Sequence, residues 1–126
     1  MTNALCAPQW TEELRHRLES VQQLADGWAG PGTVGPSDAT VTEACSTAYL
    51  VQCGTCPLPH VSAGEQGEIE LAWVGGDVRI EVEVRGLGVA SVFVRRPGFA
   101  DIERDVDLAH ADLRFVAAAI TRLDLV

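Results

Sequence analysis

Residues 69 to 84 alternate apolar and polar side chains around a glycine pair, and this pattern constrains the fold more than any other part of the chain. Ile69, Leu71 and Trp73 alternate with Glu68, Glu70 and Ala72. Beyond Gly75-Gly76, Val78, Ile80, Val82 and Val84 alternate with Arg79, Glu81, Glu83 and Arg85. A period of two belongs to a half-buried strand, and two such runs joined by a glycine pair form a hairpin. A turn near Gly86 to Gly88 leads into a third run, Val89 to Arg96, which Pro97-Gly98 closes. The expectation is a three-stranded antiparallel meander. Leu58 to Ser62 adds a short edge strand as a fourth.

Helical patterns flank this core. Leu14, Leu18, Val21 and Leu24 share one face of a helix expected from Thr11, as N-cap, to Ala25. Asp26 to Pro36 is rich in glycine and proline and reads as a loop, with Trp28 in its middle. A second helix, capped by Ser37 or Asp38, runs to about Gln52 and buries Val41, Ala44, Cys45, Ala48 and Val51. A last helix is expected from Asp107, as N-cap, to Leu123. The order α-α-(β)-β-β-β-α, with helices on one face of the sheet, is a two-layer α+β design. At 126 residues the chain reads as a single domain spanning residues 1–126.

The first hairpin also predicts what its outer face carries. With Gly75-Gly76 as the loop, Glu70 stands opposite Glu81 and Glu68 opposite Glu83. Like charges in directly opposed positions destabilise a sheet, so either Arg79, Arg85, Arg95 or Arg96 lies alongside and neutralises them, or a bulge alters the register, or they meet an Arg- or Lys-rich partner. If the second turn also has two residues, Val92 and Val94 lie outward beside the carboxylates. An apolar strip next to an acidic patch has the anatomy of an interface. Trp28 is either an anchor that plugs its loop onto the core or an exposed contact.

The net charge is −9, and all nine cations are arginine. Arginine without lysine fits a high-G+C bacterial genome or its phage. An acidic chain lacks the clustered cations that phosphate binding requires, so direct contact with nucleic acid or an anionic membrane is not expected. The N-terminus has neither a basic start nor an apolar stretch, and a cytoplasmic location is the expectation.

The motifs that look chemical fail on context. Cys53-Gly54-Thr55-Cys56 has redox spacing, but it follows a helix, where the dipole opposes a thiolate. With Cys45 and His60 it does not match zinc-finger or ribbon spacing. Gly30-Pro31-Gly32-Thr33-Val34-Gly35 is a G-x-G-x-x-G string, but it follows a helix instead of a strand. His16, His60 and His110 are scattered. No catalytic residues, metal ligands or cofactor are therefore assigned.

Asp26-Gly27-Trp28-Ala29-Gly30, followed by Pro36, resembles the DGWxG…P loop of a family of small uncharacterised bacterial proteins. Pro57-Leu58-Pro59-His60-Val61 with Gly67-Glu68-Ile69-Glu70-Leu71-Ala72-Trp73 resembles the PxPxV…GxIxLxW segment of the same family. This sequence departs from the pattern at Ser62 and Gln66. The resemblance implies that Trp28 and Trp73 are structural signatures, and it brings no known activity.

Together these features predict a small acidic, non-enzymatic domain that inhibits or neutralises a macromolecular partner, of antitoxin, immunity or phage anti-defence type. The expected partner is a basic protein surface, and the expected contacts are Glu68, Glu70, Glu81, Glu83, Val92, Val94 and Trp28. The alternatives are a nucleic-acid mimic, favoured if Asp101, Glu103, Asp105 and Asp107 continue the acidic band, and a homodimeric structural subunit.

Overall fold

A computed structural model describes residues 8–51, 58–109 and 116. Two helices, α1 (Pro8–Gln22) and α2 (Asp38–Val51), precede five strands: β1 (His60–Ala63), β2 (Ile69–Gly75), β3 (Val78–Val84), β4 (Val89–Arg95) and β5 (Ile102–Asp107). The strands form one antiparallel sheet in the order β1-β2-β3-β4-β5. The α+β architecture with helices on one face is as expected, and the meander has five strands instead of three or four. The expected C-terminal helix lies outside the described residues, apart from Val116, which is helical and buried. The Cys53–Cys56 motif is also outside them.

Helix α1 begins one turn earlier than Thr11. A proline is well placed there, since the first helical N–H has no partner to lose. Leu14, Leu18 and Val21 are its buried stripe. Ser37 caps α2: its hydroxyl accepts the Thr40 N–H at 3.2 Å, and its carbonyl accepts the Val41 N–H at 3.0 Å. Between the helices, the Asp26–Pro36 segment folds back on itself. The Gly27 N–H donates to the Thr33 carbonyl at 2.8 Å, and Asp26 Oδ1 accepts the Gly35 N–H at 3.2 Å. Val34 forms a parallel bridge with Gln66 of the β1–β2 connection. Helix α1 packs on β1, and α2 packs on β2 and β3.

The core lies between this helical layer and the inner face of the sheet. Ile69, Leu71 and Trp73 of β2, Val78, Ile80, Val82 and Val84 of β3, and Ala90, Val92 and Val94 of β4 are all buried. Two turns decide which side chains reach that face, and both differ from expectation. In the first hairpin Gly75 remains in the strand opposite Val78, and the loop is Gly76-Asp77. Gly76 has φ +59°, the left-handed value that a type II′ turn asks of its first central residue. The pairing therefore shifts by two: Glu70 faces Glu83, and Ala72 faces Glu81. An even shift leaves every side chain on its expected face.

The second hairpin differs by an odd step. Val84 pairs with Ala90 and Glu83 with Ser91, so the connection is longer than two residues. An odd shift exchanges the faces of the whole strand. Ala90, Val92 and Val94 consequently point into the core. Val92 and Val94, expected on the outer face, are instead buried on the inner one. The cause is visible in the loop. Gly86 and Gly88 both have positive φ, and the Glu43 carboxylate of α2 accepts both their N–H groups, at 3.0 and 2.8 Å. This double contact holds a wide loop against α2. The wide loop turns three apolar residues inward, where burial contributes about 25 cal/mol per Å² of apolar surface.

The acidic outer face as candidate functional site

The outer face of the sheet is built in cross-strand rows. One row crosses all five strands as Ser62, Glu70, Glu83, Ser91 and Asp105. The next runs His60, Ala72, Glu81, Phe93 and Glu103. A shallow trough of about 520 Å³ lies across them, with Glu70, Glu81, Glu83, Glu103 and Asp105 in its lining. Strand β4 separates the carboxylates of β3 from those of β5 with a hydroxyl in one row and an aromatic ring in the other. Ser91 Oγ donates to Asp105 Oδ1 at 2.8 Å, which anchors that carboxylate. Phe93 is half-buried between Glu81 and Glu103, and the Arg95 guanidinium lies 5.3 Å from its ring centre.

The carboxylates are not equally compensated. On β3, Arg79 Nε reaches Glu81 Oε2 at 3.1 Å, and Arg85 Nη2 reaches Glu83 Oε2 at 2.8 Å. Arg79 and Glu81 lie two residues apart on β3, hence on one face, and Arg85 directly follows the strand's last residue. At the rim, Arg95 forks onto both oxygens of Asp101, at 3.2 and 2.9 Å, and this hydrogen bonding holds the Asp101 carboxyl below its usual range. Among the described residues Glu70 and Glu103 form no ion pair. The Glu70 carboxyl is pushed above its usual range, chiefly by burial. Glu81 adds to the effect, Arg79 opposes it, and the directly opposed Glu83 raises it further.

Of the residues expected to bind a partner, Glu70, Glu81 and Glu83 share this trough and Glu68 does not. Glu68 precedes β2, and its Oε1 accepts the Gln66 N–H at 2.9 Å within the β1–β2 connection. Trp28 is 37 % exposed and also lies off the trough; its indole Nε1 donates to the Val34 carbonyl at 3.1 Å, which fixes the ring on its own loop. Ser91 and Phe93 were not anticipated on this face, and Glu103 and Asp105 were named only as a conditional continuation of the acidic band. The first two follow from the odd shift of β4. The last two follow from β5, whose apolar positions Ile102 and Val106 are separated by Arg104, so the alternation is interrupted in the sequence. Asp107 ends β5 and also accepts the Ala109 N–H at 3.0 Å, as in an Asx turn.

Among the described residues no helix is long and apolar enough to cross a membrane. Cys45 is half-buried and packed against the core.

No family model matches the chain, and no solved structure matches it. The chain is locally similar to plant enzymes. It is 32 % identical over 74 residues to eugenol O-methyltransferase and 31 % identical over 74 residues to chavicol O-methyltransferase, both of Ocimum basilicum. It is 37 % identical over 71 residues to a probable O-methyltransferase 3 of Humulus lupulus. These stretches cover 59, 59 and 56 % of the chain, but only 19, 19 and 17 % of the respective enzymes. The chain thus spans less than a fifth of the length of the curated relatives it matches.

Proposed function

We propose that this domain acts by binding, and that its acidic outer face engages the basic surface of a macromolecular partner that it inhibits or neutralises. The observation that carries the reading is the row in which Glu70 and Glu83 stand directly opposed, with Asp105 two strands further on. Opposed like charges cost up to about 1 kcal/mol per pair. A cationic side chain laid across the trough would remove that repulsion. The partly buried Phe93 ring adds a surface on which a guanidinium or ammonium can stack. The similarity to O-methyltransferases covers too small a part of those enzymes to bring their chemistry to this reading.

A second reading, nucleic-acid mimicry, gains from Glu103 and Asp105 joining the same face as Glu70, Glu81 and Glu83. Charge density decides against it as the first choice. From β2 to β5 is three strand spacings, about 14 Å. Duplex DNA presents about eight negative charges over that length. The trough carries five carboxylates, has Arg104 among its lining residues, and is flanked by the ion-paired Arg79 and Arg85. A compact acidic patch of this kind matches a few cationic side chains better than it replaces a phosphate backbone. A homodimer through the outer face is the least favoured arrangement, since it would bring two such patches together.

The test is a pull-down from a lysate of the source organism with the wild type and a Glu70→Arg, Glu81→Arg double variant of verified fold. Retention of a basic partner by the wild type, weakening with added salt and lost in the variant, supports the reading. A captured partner that DNA displaces supports mimicry. Equal retention by both proteins removes the acidic face from the function.

A further inference from the structure

We propose that Leu87 and Val89 form the apolar anchor of the acidic face and insert into an apolar cleft beside the cations of the basic partner protein. This rests on the acidic-face reading and specifies the partner surface that the face fits. Val89 opens β4 opposite Asp107. It lies two residues from Ser91, hence on the same outer face, one step beyond the row of Glu70, Glu83, Ser91 and Asp105. It is 42 % exposed. Leu87 stands two residues earlier, in the β3–β4 loop, and at 77 % is the most exposed large apolar side chain among the described residues. The pair therefore sets apolar surface where the carboxylate rows end. Apolar contacts bordered by polar and charged groups are the anatomy of an interface.

A single exposed leucine needs no explanation by itself. This one is set apart by how firmly its backbone is held. Gly86 and Gly88 flank it at φ +77° and +79°. Their N–H groups donate to the Glu43 carboxylate at 3.0 and 2.8 Å, and the Gly88 carbonyl accepts the Leu108 N–H at 2.8 Å. Gly86 also approaches the start of α2 so closely that a Cβ there would lie 2.7 Å from the Thr40 hydroxyl oxygen. The loop is thus tied to α2 on one side and to the end of β5 on the other, while most of the Leu87 side chain stays in water. An ordered loop gives up little conformational entropy on binding, so apolar area buried there converts more fully into affinity. Charge decides the kind of partner. Asp107 stands opposite Val89, and Asp105 lies in the next row. Arg85, just before the loop, is engaged by Glu83 at 2.8 Å. An apolar cleft rimmed by arginine or lysine complements this surface. An anionic lipid surface, or a second copy that brings the same carboxylates, does not.

The test places a photoreactive benzophenone amino acid in the full chain at one of three positions and illuminates it in a lysate of the source organism. The positions are those of Leu87, of Glu81 in the trough, and of Val34, an exposed apolar residue of the Trp28 loop that serves as control. The anchor predicts one and the same basic protein in the adducts from Leu87 and Glu81, and none from Val34. That protein, purified, should bind a Leu87→Ser variant about tenfold or more weakly than the wild type, through faster dissociation. The loss should persist at high salt, whereas the loss caused by Glu70→Arg, Glu81→Arg should fade. Circular dichroism verifies the fold of each variant. An adduct from Glu81 alone, or Leu87→Ser binding within about twofold of the wild type, overturns the anchor and leaves the acidic-face reading standing. An adduct from Leu87 alone overturns the joint surface and counts against that reading. The same protein captured from all three positions, or a cross-linked pair of copies of this chain at Leu87, also overturns the anchor. Adducts from neither Leu87 nor Glu81 overturn both.

Discussion

The two faces of this sheet obey different rules. The inner face carries Ile69, Leu71, Trp73, Ile80, Val82, Val92 and Val94, every one buried against the helices or the rest of the core. The outer face sets Glu70 against Glu83 and places Glu81 and Glu103 on either side of Phe93. Both faces belong to the same strands and alternate residue by residue, so they share one backbone geometry. The inner face is where this domain gains stability by removing apolar area from water. The outer face gives some stability back, and that is the physical reason to look for its role in binding and not in folding. If the contrast holds, substitutions on the inner face should cost several kcal/mol, whereas neutralising an outer carboxylate should cost nothing or stabilise slightly.

The largest expected effect tests the inner half of the contrast. Trp73 is among the largest fully buried side chains, paired with Ile80 at the centre of the first hairpin. Trp73→Ala should destabilise the domain by about 3–5 kcal/mol, through lost transfer energy and the cavity left behind. Urea unfolding monitored by circular dichroism reads this directly. A loss under about 1 kcal/mol would mean that the inner face is not the main source of stability.

A smaller effect tests what keeps the faces apart. Glu43 accepts the N–H groups of both Gly86 and Gly88 and so fixes the loop whose length determines the face that β4 presents. Glu43→Ala leaves two part-buried donors without their acceptor. The expected loss is about 1–3 kcal/mol, well above that of an ordinary surface substitution. Denaturant unfolding measures the loss, and amide exchange at Gly86 and Gly88 shows whether the loop itself opens. An effect within about 0.5 kcal/mol would show that the burial of Ala90, Val92 and Val94 sets the register without help from α2.

How much of this contrast could be read from the sequence depends on turn parity. The inner face of β2 and β3 was legible because Gly75-Gly76 and Gly76-Asp77 are both two-residue turns. Confusing them moves the pairing by two and leaves faces unchanged. The faces of β4 were not legible. Gly86 and Gly88 mark a turn without fixing its length, and the residue that does so, Glu43, lies on α2, over forty residues earlier in the chain. That one missing contact inverted Val92 and Val94 and hid Ser91 and Phe93. Strand β5 was missed for a different reason: Arg104 occupies an inner-side position and breaks the period of two. Helix faces needed no distant information. Leu14, Leu18 and Val21 are buried as their spacing predicts, and Ser37 caps α2.

The smallest expected effect bears on the outer face alone, and its sign is more informative than its size. The Glu70 carboxyl is raised above its ordinary value of 4.5, first by burial and then by Glu81 and Glu83 against the pull of Arg79. A carboxyl with a raised folded pKa favours the folded state most when it is protonated. Its contribution is therefore complete below the unfolded value and is lost as pH rises through the folded one. Glu70→Gln removes this titration and the repulsion from Glu83 together. The variant should be more stable than the wild type at neutral pH by less than about 1 kcal/mol, because the site is largely solvent-screened. That advantage should shrink as pH falls toward and below 4.5. Asp101 titrates with the opposite sign, its stabilising bond to Arg95 failing as acid protonates it, but it is common to both proteins and cancels in their difference. Paired urea titrations at neutral and acidic pH measure that difference. An advantage that does not change with pH, or a variant less stable than the wild type at neutral pH, would show that Glu70 is compensated within the fold. The opposed carboxylates would then no longer require a partner to explain them.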